Sequence, residues 1–232
     1  MLRFRFVALA PFIAMASVPL AQAEAVWATN AHAYASLFSG PAEPVIKDVM
    51  QDTEAKVDIL FAQSEAFAAT AYASAFSSAQ GSQTGAMTYT THAFGRADTE
   101  LNGLTSGRYR VSFSYLVLDG PNDLFFSNDA AVGFEYEGGK FEIKSGGAGA
   151  HTSELALDVG GKREDLWIAF YAWSDSHAIE GSAAGNARIS DIVVERLPDQ
   201  PVLVTPVPAA AWMFASALGA LAVRRRVFGS SA

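Results

Sequence analysis

Four histidines, His32, His92, His151 and His177, are spread over 232 residues. None stands in the H-x-H, H-x-x-H or H-E-x-x-H spacing that brings two imidazoles onto one metal ion. Asp175-Ser176-His177 holds the residue types of a nucleophilic triad. Consecutive residues of a strand point to alternate faces, so these three cannot form a relay among themselves. No G-x-S-x-G turn is available to present a serine. Gly146-Gly147-Ala148-Gly149 lacks the Lys-Ser or Lys-Thr of a phosphate loop, and Gly160-Gly161-Lys162-Arg163 lacks its spacing, so both read as turns. A glycosidase sets two carboxyl groups against each other across a cleft. Glu135 and Glu137 fall about 7 Å apart on one face of an expected strand, where a solvated ladder is the simpler reading.

Two binding chemistries remain. Asp119-Gly120-Pro121-Asn122-Asp123, with Asn128-Asp129 close behind, is rich in oxygen ligands. Calcium takes such ligands, so Asp119, Asn122 and Asp123 are a candidate calcium site, although the same residues are ordinary turn formers. Trp167, Tyr171 and Trp173 share one face of an apolar run, and Leu166, Ile168 and Phe170 share the other. Exposed, the first face is a platform for sugar rings, whose C–H patches suit a flat π surface. Buried, it makes the strand a central one with core on both sides. The burial preference of large aromatics, and the gap at Ala169, favour the buried reading. Phe125-Phe126 is a further contact in a loop, or a plug at one end of the fold.

The elements that carry these residues look like β-strands. Gly and polar clusters at 39–44, 80–86, 119–123, 137–140, 145–149, 158–162 and 180–186 separate short apolar runs. That rhythm predicts many short strands. In 107–118, Tyr109, Val111, Phe113, Tyr115 and Val117 alternate with Arg108, Arg110, Ser112 and Ser114, giving one buried and one wet face. Residues 131–136 and 140–145 form a hairpin around Glu137-Gly138-Gly139. Residues 166–173 form a central strand. Residues 187–197 form the last strand, with Ile189, Asp191 and Val193 on one face and Ile192 and Val194 on the other. The alanine-rich 67–76 reads as strand from its alternation, with helix the alternative its alanines offer. Residues 44–55 read as a short helix, with Pro44 near its start and Asp48, Asp52 and Glu54 on the wet side. The expectation is an all-β sandwich over residues 24–200.

The two ends read as addresses. Arg3 and Arg5 precede an apolar run from Phe6 to Leu20, and Ala21-Gln22-Ala23 supplies small residues before Glu24. This is a signal peptide over residues 1–23, handled by Sec export and signal peptidase. At the other end, residues 209–223 carry no charge and meet Arg224, Arg225 and Arg226. Fifteen helical residues rise about 22 Å, a marginal transmembrane span. The arginines would stay cytoplasmic and stop transfer.

Pro206-Val207-Pro208-Ala209-Ala210-Ala211-Trp212, the apolar run and the arginine triplet together resemble the PEP-CTERM sorting signal of its VPLPA-type variant, over residues 201–232. Thr205 departs from the variant's usual Val, and Val227–Ala232 is a longer tail than usual. The resemblance implies a Gram-negative exporter, an inner-membrane intermediate, an exosortase transpeptidase as partner, and association with extracellular polysaccharide or biofilm. Leu104 to Phe113 resembles the G-L-x-x-G-x-Y-x-V-x-F strand of extracellular jelly-roll modules. Gly181 to Val194 resembles the closing strand of carbohydrate-binding sandwiches.

Composition narrows the function classes. There is no cysteine, which excludes disulfides, thiol catalysis and thiolate metal sites. Net charge is −8, but all 24 acidic residues and only 11 of 16 basic ones lie in 24–200, so the body carries −13. That argues against nucleic acid as a partner. The expected function is a non-catalytic surface-sorted protein associated with extracellular polysaccharide or biofilm matrix, with Trp167, Tyr171 and Trp173 the candidate sugar contacts should their face be exposed. A secreted glycan or ester hydrolase, and an unprocessed membrane-anchored structural protein, are the alternatives. No cofactor other than calcium is expected.

Overall fold

The computed structural model describes residues 25–198, apart from 41, 85–86, 121, 146 and 159–165. The signal peptide, with Ala21 and Ala23, and the sorting segment, with Pro206–Trp212 and Arg224–Arg226, lie outside the described residues, as do Gly146 and Gly160–Arg163. Twelve strands follow one another: β1 (Val26–Ser39), β2 (Val45–Gln51), β3 (Glu54–Ile59), β4 (Ala62–Ala69), β5 (Tyr72–Thr84), β6 (Met87–Leu104), β7 (Gly107–Leu118), β8 (Phe126–Tyr136), β9 (Gly139–Ile143), β10 (Gly147–Leu157), β11 (Leu166–Ala178) and β12 (Gly181–Arg196). Among the described residues there is no helix.

All pairings are antiparallel. One sheet, here the front sheet, runs β2-β1-β6-β11-β8-β9. The back sheet runs β3-β4-β5-β12-β7-β10. The tip of the β5–β6 hairpin, Ser82–Thr84 against Met87–Tyr89, joins them. The expected all-β sandwich is therefore present, with the 131–145 hairpin and the central position of β11 between β6 and β8.

The interior is thin on one side and thick on the other. Ala31, Ala33, Ala35, Ala93 and Ala97 of the front sheet face Ala62, Ala66, Ala68, Ala73 and Ala75 of the back sheet, all buried. Here the backbones nearly touch: a Cβ added at Gly95 of β6 would lie 2.8 Å from the Glu65 carbonyl oxygen and 2.9 Å from that of Phe76. Small side chains let sheets approach to this degree, which favours extended chain over helix here, but 67–76 is not one strand: β4 ends at Ala69 and β5 begins at Tyr72, with a turn at Thr70-Ala71 where Ala71 takes φ 57°. The other side is filled by rings. Phe134 lies 5.9 Å from Phe170 and 6.2 Å from Phe113, centroid to centroid. His151 of β10 stacks on Phe141 of β9 at 3.9 Å and closes the seam between the two sheets. Burial holds its imidazole below the usual histidine range, so the ring inside this apolar seam is neutral.

Three expectations need correcting. Residues 44–55 are not a helix: β2 and β3 occupy them, and β2 pairs with β1 along an edge where Val45, Ile46 and Met50 stay exposed. The β-branched Val45, Ile46 and Val49 favour that extended form. Nor are the Gly and polar clusters at 80–86, 145–149 and 180–186 simply turns: β5 runs to Thr84, β10 starts at Gly147 and β12 at Gly181. In β12 the strict alternation fails at a bulge between Ser190 and Val193, where Asp191 takes φ 54°. The inserted residue turns Ile192 inward beside Ile189 and leaves Val193 55% exposed.

Candidate functional site

The outer face of the front sheet gathers the chain's polar and aromatic chemistry. In β6, Thr91, Ala93, Gly95, Ala97 and Thr99 point inward, so His92, Phe94, Arg96, Asp98 and Glu100 point outward. In β1 the inward alanines likewise leave His32 and Tyr34 outward. In β11 the outward set is Trp167, Ala169, Tyr171, Trp173, Asp175 and His177. Register places Arg96 beside both His32 and Trp173, and Glu100 beside Ala169. Trp167 reaches this face by the regular alternation of β11, while a bulge at Gly103 of β6 absorbs the register shift between the partners of Leu166 and Trp167.

The three aromatic residues expected to bind sugar are on one face, but they are not equivalent. Trp167 and Trp173 are half-buried and present ring surface. Tyr171 is 1% exposed and is not a platform. The Arg96 guanidinium carbon sits 5.4 Å, and the Lys140 ammonium 5.0 Å, from its ring centre. Its hydroxyl donates to Glu142 at 2.9 Å. Burial, then that bond to a carboxylate, pushes the phenol far above its ordinary range, so it stays a donor.

Charge pairs lock the frame around the indoles. Arg96 donates from Nε and Nη2 to Asp98 at 3.0 and 2.8 Å. Glu142 accepts from Lys140 at 2.9 Å and Lys144 at 3.2 Å. Burial alone would raise this carboxyl, but the bonds from Lys140, Tyr171 and Lys144 outweigh it and hold the pKa at about 2. A carboxyl lowered from 4.5 contributes stability that is complete above the unfolded value and lost as pH falls toward the folded one. Glu142→Gln is therefore expected to flatten the loss of melting temperature between pH 4.5 and about 2, read by thermal melts across that window. Further along the face, His92 Nε2 lies 2.6 Å from Asp175, and His32 Nε2 2.7 Å from Asp48.

Beside Trp167 lies an open groove of about 520 Å³. Ala169 forms part of its lining with Asn30, His32, Met50, Arg96, Asp98, Glu100 and Glu135. Glu135 and Glu137 do not share a face as expected, because β8 ends at Tyr136 and Glu137 falls in the turn. Glu135 instead stands across Ala169 from Glu100, one strand to either side.

The other sequence candidates do not join this face. Ser176 points into the sandwich, as strand alternation requires, and its hydroxyl lies 2.7 Å from those of Ser77 and 2.7 Å from the Asn128 amide. In the 119–123 loop, Asn122 accepts the Asn128 N–H at 2.7 Å and Asp123 accepts the Leu124 N–H at 2.5 Å. Asp119 is exposed. Among the described residues no three His, Asp or Glu side chains are placed to hold a metal ion. Phe125 is partly exposed at the loop tip, next to Leu124, while Phe126 packs toward Gly181. Sequence reasoning missed Phe94, Arg96, Asp98 and Glu100. Their signal was present as strict alternation of small and functional residues in Thr91–Glu100.

No protein-family model and no curated protein matches the sequence. Solved structures give remote likenesses. TmCBM61 in complex with β-1,4-galactotriose aligns at 14% identity over 53% of this chain and 82% of that one, TM-score 0.27. A structure described as the basis for promiscuous specificity of carbohydrate-binding modules from the β-sandwich superfamily aligns at 7% identity over 74% and 97%, TM-score 0.24. The naturally empty particle of cowpea mosaic virus aligns at 9% identity over 76% and 89%, TM-score 0.20.

Proposed function

We propose that this is an exported, surface-sorted, non-catalytic glycan-binding protein with a jelly-roll-like body, working in the extracellular polysaccharide or biofilm matrix. The supporting observation is the half-buried indole of Trp167 on a groove lined by Arg96, Asp98, Glu100 and Glu135, with Trp173 beside Arg96 on the same sheet face. Sugar recognition combines such apolar ring faces with a few fixed polar groups, and both are present on one open groove. The paired charges hold the frame before a ligand arrives, which lowers the ordering cost of binding. Export and sorting rest on the two terminal segments. The exosortase reading expects a mature protein lacking Arg224–Arg226, and mass spectrometry of its C-terminus checks this. An intact tail supports an unprocessed membrane-anchored protein instead.

Affinity electrophoresis through gels containing neutral and charged polysaccharides tests the binding. Retardation by at least one glycan is expected, and none across the panel would remove the proposal. A second reading, glycan hydrolysis, draws on Glu100 and Glu135 flanking Ala169. Two strand spacings put their backbones about 10 Å apart, close to the range a carboxyl pair needs. Release of reducing ends from a retarding glycan would favour that reading.

A further inference from the structure

We infer that the outer face of the back sheet holds a second glycan site, at the turn between β3 and β4, and that one molecule thereby bridges two polysaccharide chains. This rests on the glycan-binding reading and adds how the protein acts on its ligand. Period two decides what faces out here. Val57 and Ile59 of β3, Ala62 and Ser64 of β4, and Ser77 and Ala79 of β5 are buried. Asp58, Gln63, Ser78 and Gln80 therefore point to the solvent side. Register sets Asp58 opposite Gln63 and Gln63 opposite Ser78, a polar row over three adjacent strands and about 10 Å. With Gln80, Leu60 and Phe61 the row lines an open groove of about 550 Å³. Among the described residues, these four polar side chains make no hydrogen bond and no ion pair. Lys47 donates to the backbone carbonyl of Asp58, at 3.3 Å, and leaves its carboxylate open.

The apolar half of the site is held against its own conformational preference. Phe61 takes φ 68°, a left-handed backbone that a bulky side chain rarely adopts and glycine adopts freely. Its carbonyl accepts the Gln80 N–H at 2.8 Å, and its ring lies 5.9 Å from that of Tyr89. Phe61 stays 39% exposed, next to Leu60 at 66%. A strained ring kept at the edge of a groove, beside open amides, a hydroxyl and a carboxylate, suits a hydroxyl-rich neutral sugar. The ring meets its C–H patches, and the polar row supplies donors and acceptors for its hydroxyls. The groove beside Trp167 opens on the front sheet and this one on the back sheet, so the two face away from each other. Chains held on opposite faces of one sandwich are cross-linked, and many such links strengthen each attachment.

The test uses the purified full chain in a detergent without a sugar headgroup, at one chain per micelle as verified by light scattering. The probes are hydroxyethylcellulose, laminarin, xylan and galactan. Gel retardation is compared for the wild type, a front variant (Trp167→Ala/Trp173→Ala), a back variant (Phe61→Gly/Gln63→Ala) and their combination. Phe61→Gly removes the ring and suits the backbone, so circular dichroism should show the back variant folded. Gln63→Ala/Ser78→Ala leaves the turn untouched and serves as a second back variant. With the probe that retards the wild type most, the front variant should keep a weakened retardation. Each back variant should lose affinity by about threefold or more, and the combination should lose retardation altogether. Mixing with the same probe should turn the wild type turbid and leave the front and back variants clear. Back variants that match the wild type in retardation and turbidity overturn the inference while glycan binding at Trp167 stands. A front variant with no residual retardation does the same, and a clear wild-type mixture overturns the bridging. Retardation lost in the back variants but intact in the front variant overturns the front-sheet site and supports this one. No retardation of the wild type by any probe, or in the wider electrophoresis panel, overturns both readings.

Discussion

Gly95→Val is expected to leave no cooperatively folded protein, or one with a melting temperature lower by about 10 °C or more. The reason is local and severe. Gly95 sits where β6 of the front sheet meets β4 and β5 of the back sheet, and its missing side chain is replaced by the Glu65 and Phe76 carbonyl oxygens at 2.8 and 2.9 Å. Those oxygens belong to backbone, not to a flexible side chain that could swing aside. A branched side chain forces the sheets apart along the alanine seam, and overpacking of that kind costs about 3 kcal/mol or more. For a domain of this length, each kcal/mol is about 2–4 °C. Gly40→Ala is the contrasting case: φ is 54°, yet nothing lies within 4 Å of the new Cβ, so only the conformational cost of about 1–2 kcal/mol applies. Far-UV circular dichroism with thermal melts of the three proteins checks the order wild type, Gly40→Ala, Gly95→Val. Equal melting of the two variants would mean that the sheets do not meet at Gly95.

Trp167→Ala/Trp173→Ala is expected to weaken glycan binding at least tenfold, about 1.4 kcal/mol, while leaving a cooperatively folded protein that melts higher than Phe170→Ala. Both indoles lie on the solvent side of β11, whereas Ile168 and Phe170 of the same strand are fully buried and carry the core. Removing the half-buried outer rings takes away ligand contact and less packing than removing a fully buried ring does. Removing Phe170 does the reverse, because it touches Trp27, Phe113 and Phe134. Phe170→Ala should cost about 3–5 kcal/mol in stability. Calorimetry for affinity and melts for stability separate the two effects. A double variant that still binds like the wild type would move the ligand to another face.

Much of the fold was legible because its strands obey period two. The alternation of Tyr109, Val111, Phe113 and Val117 located β7, and Glu137-Gly138-Gly139 located the β8–β9 hairpin. What escaped had physical causes. The bulge at Asp191 shifts the phase of β12 by one residue, and no residue type around it announces that. β2 carries no strand signal because an exposed edge strand has no buried face to stamp a pattern on its sequence.

The site was half legible. The aromatic face of β11 was visible, but its accessibility was not, since that depends on Arg96 and Lys140 covering Tyr171 from other strands. The charged half of the site was hidden by an inverted pattern. In Thr91–Glu100 the inward residues are small, because the sheets nearly touch there, so the strand lacks the large apolar residues that usually mark a buried face. The same close approach that makes Gly95 indispensable thus leaves the outer face to carry the larger side chains.

The most direct measurement is an NMR titration of the four tryptophan indole N–H signals with a glycan that retards the protein, each signal assigned by a single Trp→Phe variant. Trp27, partly buried, packs on Phe170 from the inner side of β1 and serves as the internal reference. The account predicts that the Trp167 and Trp173 signals move together on saturation while that of Trp27 stays in place. Saturation with the Trp167 and Trp173 signals unmoved would contradict it.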